Sequence, residues 1–208
     1  MTGASSGIGF ELARQLAGRG FDLIINAEDS DRLRDASERI RAEGVQVEAV
    51  QADLRRYEEA ERLYASIKAT GRPVAVAALN AGVGRGGAFL DTNLTDELEI
   101  VDLNVRSTVH LAKRILRDMA ADDEGKVLIT SSIASTMPGS FQSVYNASKS
   151  FLHPFAQALQ NELKDSGITV TALIPAPLKP TSSTAPKWTT PRSANRRRTI
   201  RRRSPNRV

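Results

Sequence analysis

The sequence predicts an α/β protein built on a doubly wound parallel sheet. Three observations point there. Short apolar segments alternate with longer segments of helical period along most of the chain, which implies parallel strands joined by right-handed crossovers. A glycine-rich turn opens the first helix. The segment Val74 to Leu79 (VAVAAL) is apolar throughout, as a strand covered on both faces must be.

The elements follow in order. Ile8, Leu12 and Leu16 are spaced by four within IGFELARQLAGR, an apolar helix stripe over residues 8 to 19. Phe21 to Asn26 (FDLIIN) reads as a short buried strand. Asp31 to Glu43 is helical in composition and stops at Gly44. Val45 to Ala52 alternates like a strand, and Tyr57 to Thr70 is a helix closed by Gly71 and Pro73. After the apolar strand come a long helical stretch from Leu94 to Ala120, a strand Lys126 to Thr130, a helix Val144 to Ser166 in which Pro154 predicts a kink, and a last strand Ile168 to Ile174.

Composition narrows the chemistry. The 208 residues suit one domain with a substantial core. There are no cysteines, so disulfides, thiolate metal sites and cysteine nucleophiles are excluded together. His110 and His153 lie too far apart in sequence to suggest a local zinc site. No apolar run approaches the roughly 20 residues of a membrane helix, so a cytoplasmic protein without a membrane partner is expected. The net charge of +5 divides unevenly: residues 176–208 carry ten of the 29 basic residues, none of the 24 acidic ones and five of the nine prolines. Residues 1–175 are therefore net acidic, and the tail is expected to be a basic, disordered appendage. Its arginine triplets, Arg196 to Arg198 and Arg201 to Arg203, suit weak polyanion adhesion, but without interleaved aromatics they do not predict specific nucleic-acid binding.

Four motifs carry the candidate chemistry. Thr2-Gly3-Ala4-Ser5-Ser6-Gly7-Ile8-Gly9 opens a helix, where glycines let the backbone approach a pyrophosphate and the helix N-terminus offers unpaired N–H groups. Asn80-Ala81-Gly82 ends a buried strand, the edge at which ligands bind in such sheets. Tyr145 and Lys149 share a helix face at i and i+4, and a nearby cation favours the phenolate. Thr130-Ser131-Ser132 ends another strand, and Ser132 could hydrogen-bond a substrate oxygen. Taken singly, each has an ordinary structural reading: a tight turn, a strand end, an exposed Tyr–Lys pair, a turn cap. A second glycine string, Gly82 to Gly87, matches G-x-G-x-x-G but is not followed at once by a helix. It predicts a flexible loop at the cleft mouth.

Together these motifs resemble the short-chain dehydrogenase/reductase family in its compact single-domain form, over residues Thr2 to about Pro175. The resemblance implies a Rossmann-like fold and hydride transfer between a nicotinamide cofactor and an alcohol or carbonyl substrate. It also implies site residues: Tyr145 as acid/base, Lys149 on the nicotinamide ribose, Ser132 on the substrate oxygen, and Asn104 in VDLNV holding a water of the proton relay. Gly3, Ser5, Ser6, Gly7, Ile8, Gly9, Asn80, Ala81 and Gly82 would line the cofactor, with Asp53 of QADL near the adenine. For the cofactor, NAD or NADP, Glu28 lies 19 residues past Gly9, near the distance of a ribose-binding acid. With Asp29 it would repel a 2′-phosphate, which favours NAD. Family members commonly form homo-oligomers through the two long helices.

Departures from the family pattern lie at both ends. Members precede the glycine motif with a central strand, whereas here only Met1 precedes Thr2. They follow the last predicted strand with P-G-x-x-x-T, a helix and a final strand, none of which is legible after Pro175. The sheet is thus expected to lack most of its first strand and the C-terminal helix and strand. A one-base shift in reading frame near codon 175 would restore a P-G-A-P-E-T motif and account for a tail rich in Arg, Pro and Ala. The alternative function is an inactive relative that acts at most as a binding protein.

Overall fold

The computed structural model describes residues 1–176. The basic tail, with its expected disorder, its polyanion adhesion and its proposed frame shift, lies outside the described residues. Helices and strands alternate as α1 (Gly7–Ala17), β1 (Leu23–Ala27), α2 (Ser30–Arg41), β2 (Val47–Gln51), α3 (Tyr57–Ala69), β3 (Val76–Leu79), α4 (Leu94–Ile100), α5 (Ser107–Asp122), β4 (Gly125–Thr130), α6 (Ser143–Glu162) and β5 (Ile168–Leu173). All strand pairs are parallel: β1 with β2, and β3–β4–β5 in that order.

The two ladders are joined by a very short stitch. Thr2 forms a parallel bridge with Asn26 of β1, and its N–H donates to the Ala78 carbonyl of β3 at 3.0 Å. The Met1 amine donates to Ile24 O at 2.9 Å, while Asn26 N–H donates to Met1 O. Met1 and Thr2 thus occupy the top of a lane between β1 and β3. Below them the lane opens into a groove of about 450 Å³, walled by Leu23 and Ile24 on one side and Val74 to Ala77 on the other.

Apolar periodicity explains the packing. In α5, Leu111, Ile115 and Met119 recur every four residues and are buried against Leu79, Val127 and Ile129 of the sheet. A second cluster joins α1 and α2 to β1 through Ala13, Ala17, Ile25, Leu33 and Ile40. Asp29 caps α2 by accepting from the N–H groups of Asp31 and Arg32.

Two helices differ in detail from expectation. The stretch predicted from Leu94 to Ala120 is helical from Leu94 to Asp122, but Val101–Arg106 forms a π-helical turn between α4 and α5. Helix α6 runs through Pro154 without a break. It ends at Glu162, short of the expected Ser166, because residues 163–167 turn into β5.

Candidate active site

The carboxyl ends of β1, β3 and β4 and the start of α1 converge on one cleft of about 810 Å³. It is the edge that parallel-sheet topology reserves for ligands.

The glycine turn forms the floor. The first intrahelical bond of α1 runs from Phe10 N–H to Ser6 O, so the N–H groups before it have no helical partner. Ser6 is the N-cap residue, yet its hydroxyl does not cap the helix. Gly3, Ser5, Ser6, Ile8 and Gly9 line the cleft. Gly9 is required by packing: a Cβ there would lie 2.0 Å from the Gly3 carbonyl oxygen and 2.5 Å from Asn80 Nδ2. Gly7, at φ +56°, shapes the turn and is not itself part of the wall.

Thr2 and Asn80 brace that turn. The Thr2 hydroxyl accepts from the N–H groups of Asn80 and Ala81 at 2.9 and 3.0 Å, and Asn80 Nδ2 donates to the Thr2 and Gly3 carbonyls. Asn80, Ala81 and Gly82 all line the cleft. At its far end stand Glu28 and Asp53, as their positions after β1 and β2 imply. Burial works to raise the Asp53 pKa, but hydrogen bonds from Arg55 outweigh it and hold the carboxyl below its ordinary value.

At the other end, Tyr145 and Lys149 project from α6 into the cleft beside Ser132. Lys149 is only 5% exposed, and its ammonium donates to the Thr130 carbonyl at 3.0 Å. Burial alone lowers its pKa to about 8. Ser132 Oγ accepts from Ala134 N–H at 3.1 Å, which caps a short 3₁₀ turn (Ile133–Thr136) and leaves the hydroxyl proton free to be donated. The turn-cap reading of Ser132 and its exposure to the cleft therefore coexist. The Tyr145 hydroxyl has no hydrogen-bond partner among the described residues, and the Thr130 hydroxyl is buried without one.

Asn104 does not line the cleft; it lies behind Gly82, fully buried in the π-helical turn. Its amide clamps the Val83 peptide, accepting from Val83 N–H at 2.8 Å and donating to Val83 O at 3.0 Å, and also donates to Ser148 Oγ at 2.9 Å. Asn104 Oδ1 and Lys149 Nζ each stand 3.1 Å from the point a Gly82 Cβ would occupy, so they are at most about 6 Å apart. Residues 82–87, the second glycine string, form an irregular segment not followed at once by a helix, and Gly82, Val83 and Gly84 form part of the wall.

Several participants escaped sequence reasoning. Asn26 lines the cleft and donates to the Val50 and Ala52 carbonyls, tying β1 to β2. Arg32 and Gln142 also line it, as does Thr130 of the strand-end motif. A buried Asn at a strand end was a readable signal, whereas Arg32 and Gln142 depend on how α2 and α6 are set against the sheet.

Comparison with known proteins decides the ancestry. The family model for short chain dehydrogenases matches residues 1–192. The chain belongs to this family. It is similar to the oxidoreductase YmfI of Bacillus subtilis, with 32% identity over 177 residues, covering 84% of this chain and 72% of that protein. It is also 32% identical to the oxidoreductase UcpA of Salmonella typhimurium, covering 84% of this chain and 66% of that one. Among solved structures it resembles a short-chain dehydrogenase from Sphingobium yanoikuyae in complex with NADPH, with 33% identity and a TM-score of 0.81 over 86% of this chain and 70% of that chain. A bulky-bulky ketone specific alcohol dehydrogenase from Comamonas testosteroni gives 30% identity and a TM-score of 0.80, covering 85% and 71%. The fold is thus Rossmann-like, and the family is one of nicotinamide-dependent oxidoreductases.

The cleft fits such a cofactor on its own features. Its floor is a glycine turn with free helix N-terminal N–H groups suited to a pyrophosphate, and its inner end holds a buried ammonium and an unpartnered hydroxyl. No helix among the described residues is long and apolar enough to cross a membrane.

Proposed function

We propose that this chain interconverts a small-molecule alcohol and its carbonyl compound in the cleft, with Tyr145 as the acid/base. The observation that carries this reading is the buried Lys149 ammonium one helical turn from Tyr145, facing the same cleft as the glycine turn. The bound nicotinamide supplies or accepts the hydride. The side chains do the rest. Ser132 donates its free hydroxyl proton to the substrate oxygen and orients it. Tyr145 Oη gives that oxygen a proton in reduction and removes it in oxidation. Lys149, anchored on Thr130, favours the phenolate by its charge and would hold the nicotinamide ribose. Asn104 is close enough to Lys149 for one water to bridge them, which supports a place in a proton relay.

At the other end, Gly3, Ser5, Ser6, Gly7, Ile8 and Gly9 would hold the pyrophosphate, and Asp53 the adenine. Glu28 would accept from the ribose hydroxyls, a contact that supports NAD as a cofactor. Residues 1–175 would form the dinucleotide-binding and catalytic domain of a cytoplasmic protein. Exposed Leu94, Leu98, Val101 and Phe151 on α4, the π turn and α6 support a homo-oligomeric contact there.

A second reading, a dinucleotide-binding protein without turnover, is favoured by one observation: the Tyr145 hydroxyl, which faces the cleft, has no hydrogen-bond partner among the described residues to orient it. One experiment separates the two. The 208-residue chain is titrated with NADH and NADPH, then assayed for their oxidation with a panel of ketones and aldehydes, alongside Tyr145→Phe. Turnover that Tyr145→Phe reduces by about 10²- to 10⁴-fold, with nucleotide affinity unchanged, supports the oxidoreductase. Binding without turnover supports the second reading, and no binding removes both.

A further inference from the structure

Arg55 lies just past β2 and outside the cleft wall, yet its guanidinium meets carboxylates from three separate parts of the chain. Its Nε donates to Asp53 Oδ1 at 2.7 Å, one terminal nitrogen pairs with Glu28, and the other stands 3.3 Å from Glu99 Oε2 on α4. The Arg55 backbone N–H also donates to Asp53 Oδ1, and Arg106 donates to the Arg55 carbonyl. The exposures rank the partners: the Arg55 side chain is 23% exposed and that of Glu28 is 59% exposed. Arg55 is therefore the fixed member of the pair, and Glu28 is the member it holds.

Glu28 is also the acid at the cleft's ribose end. A carboxylate there accepts from a ribose 2′-hydroxyl and repels a 2′-phosphate, which carries between one and two negative charges. A guanidinium against that carboxylate offsets the repulsion. Of the other charges at this end, Asp29 caps α2, and Arg32, which also lines the cleft, stands 3.4 Å from Asp29 in a pair more than half exposed on both sides.

We propose that Arg55 is a positioning residue that sets the cleft's discrimination between NAD(H) and NADP(H), by holding Glu28 beside the adenosine ribose and offsetting its charge so that a 2′-phosphate is tolerated. The inference rests on the reading that the cleft takes a nicotinamide dinucleotide.

The test measures dissociation constants for NADH and NADPH by cofactor fluorescence, on the full chain and on Arg55→Ala, Glu28→Gln and the double variant. Thermal unfolding serves as the control for folding. In Arg55→Ala an unpaired Glu28 faces the ribose, so NADPH binding weakens by about tenfold, while NADH binding changes by less than about threefold. Glu28→Gln does the reverse and tightens NADPH about tenfold. Being a change at an exposed side chain, it tests the pair even if Arg55→Ala fails to fold. The double variant returns the ratio of the two constants towards that of the parent. A merely structural Arg55 would weaken both nucleotides by the same factor. That result, or a ratio unmoved by Glu28→Gln, overturns the inference. A cooperatively folded parent chain that binds neither nucleotide overturns the dinucleotide reading itself.

Discussion

The Lys149 ammonium and the Thr130 carbonyl meet 3.0 Å apart where the end of β4 lies against α6. This single bond holds a cation in a site from which water is nearly excluded. Lys149 follows Tyr145 by one helical turn, so the bond keeps a group that is costly to bury beside the cleft that Tyr145 lines.

That cost has a sign. The folded pKa of Lys149 is about 8, below the ordinary lysine value of 10.5. Between those two values the unfolded chain binds more protons than the folded one, so this group makes stability rise with pH across that window. Below about pH 8 its penalty is fully present. Lys149→Met should therefore remove the rise between pH 8 and 10.5 and leave the unfolding midpoint at pH 7 no lower than the parent's, through relief on the order of 1–3 kcal/mol. Ketone reduction should fall at least about a hundredfold. Thermal scans across pH together with turnover assays check both halves, and a midpoint several degrees lower would contradict the first.

Gly9→Ala should destabilise the glycine turn. The added methyl would lie 2.0 Å from Gly3 O, a backbone atom that cannot yield cheaply. A cost of about 1–3 kcal/mol is expected, read as a lower urea midpoint, with NADH affinity reduced more than tenfold because the same turn forms the cleft floor.

Asn104→Ala would strip the Val83 N–H and carbonyl of their partners at a part-buried stretch of the cleft wall. Each unsatisfied group costs about 1–3 kcal/mol. Because Val83 is part of the cleft wall, the loss should also appear as a raised KM for the carbonyl substrate and faster amide hydrogen exchange at Val83. Asn104→Asp keeps an acceptor for the Val83 N–H and should recover part of the stability.

The lane between β1 and β3 gives a fourth prediction. Just before β3 the Ala75 carbonyl accepts from Lys126 of β4, so by strand alternation the Val76 and Ala78 peptide groups point into the lane. Appending five β-forming apolar residues ahead of Met1, such as Val-Ala-Leu-Val-Val, should pair both edges and raise the unfolding midpoint by several degrees. It would also abolish the buried Met1 ammonium. Burial lowers that amine's pKa from 8.0 to about 6, so the unfolded chain binds more protons between those values and stability rises with pH there. The extension should remove that rise. A segment with proline at alternate positions should do neither, and equal midpoints for the two extensions would refute the lane's role.

Local chemistry made much of this protein readable in one dimension. Helix stripes such as Leu111–Ile115–Met119, strands such as VAVAAL and the glycine turn from Gly3 to Gly9 are short-range patterns, and the motifs they carry all reach one cleft because parallel strands deliver their carboxyl ends to the same edge. The i, i+4 relation of Tyr145 and Lys149 needs nothing beyond a helix. What tertiary structure decided lies in pairs far apart along the chain. Asn104 reaches Val83 across 21 positions and Ser148 across 44, by way of a π-helical turn that no residue pattern announces. Arg55 meets Glu28 across 27 positions, and both were charges with no visible partner in the sequence. Lys149 is buried where α6 lies against the end of β4, with Gly82 close to its ammonium. Periodicity reports which face of an element is apolar, whereas the partner of a polar group and the cost of its burial depend on how separate elements are brought together.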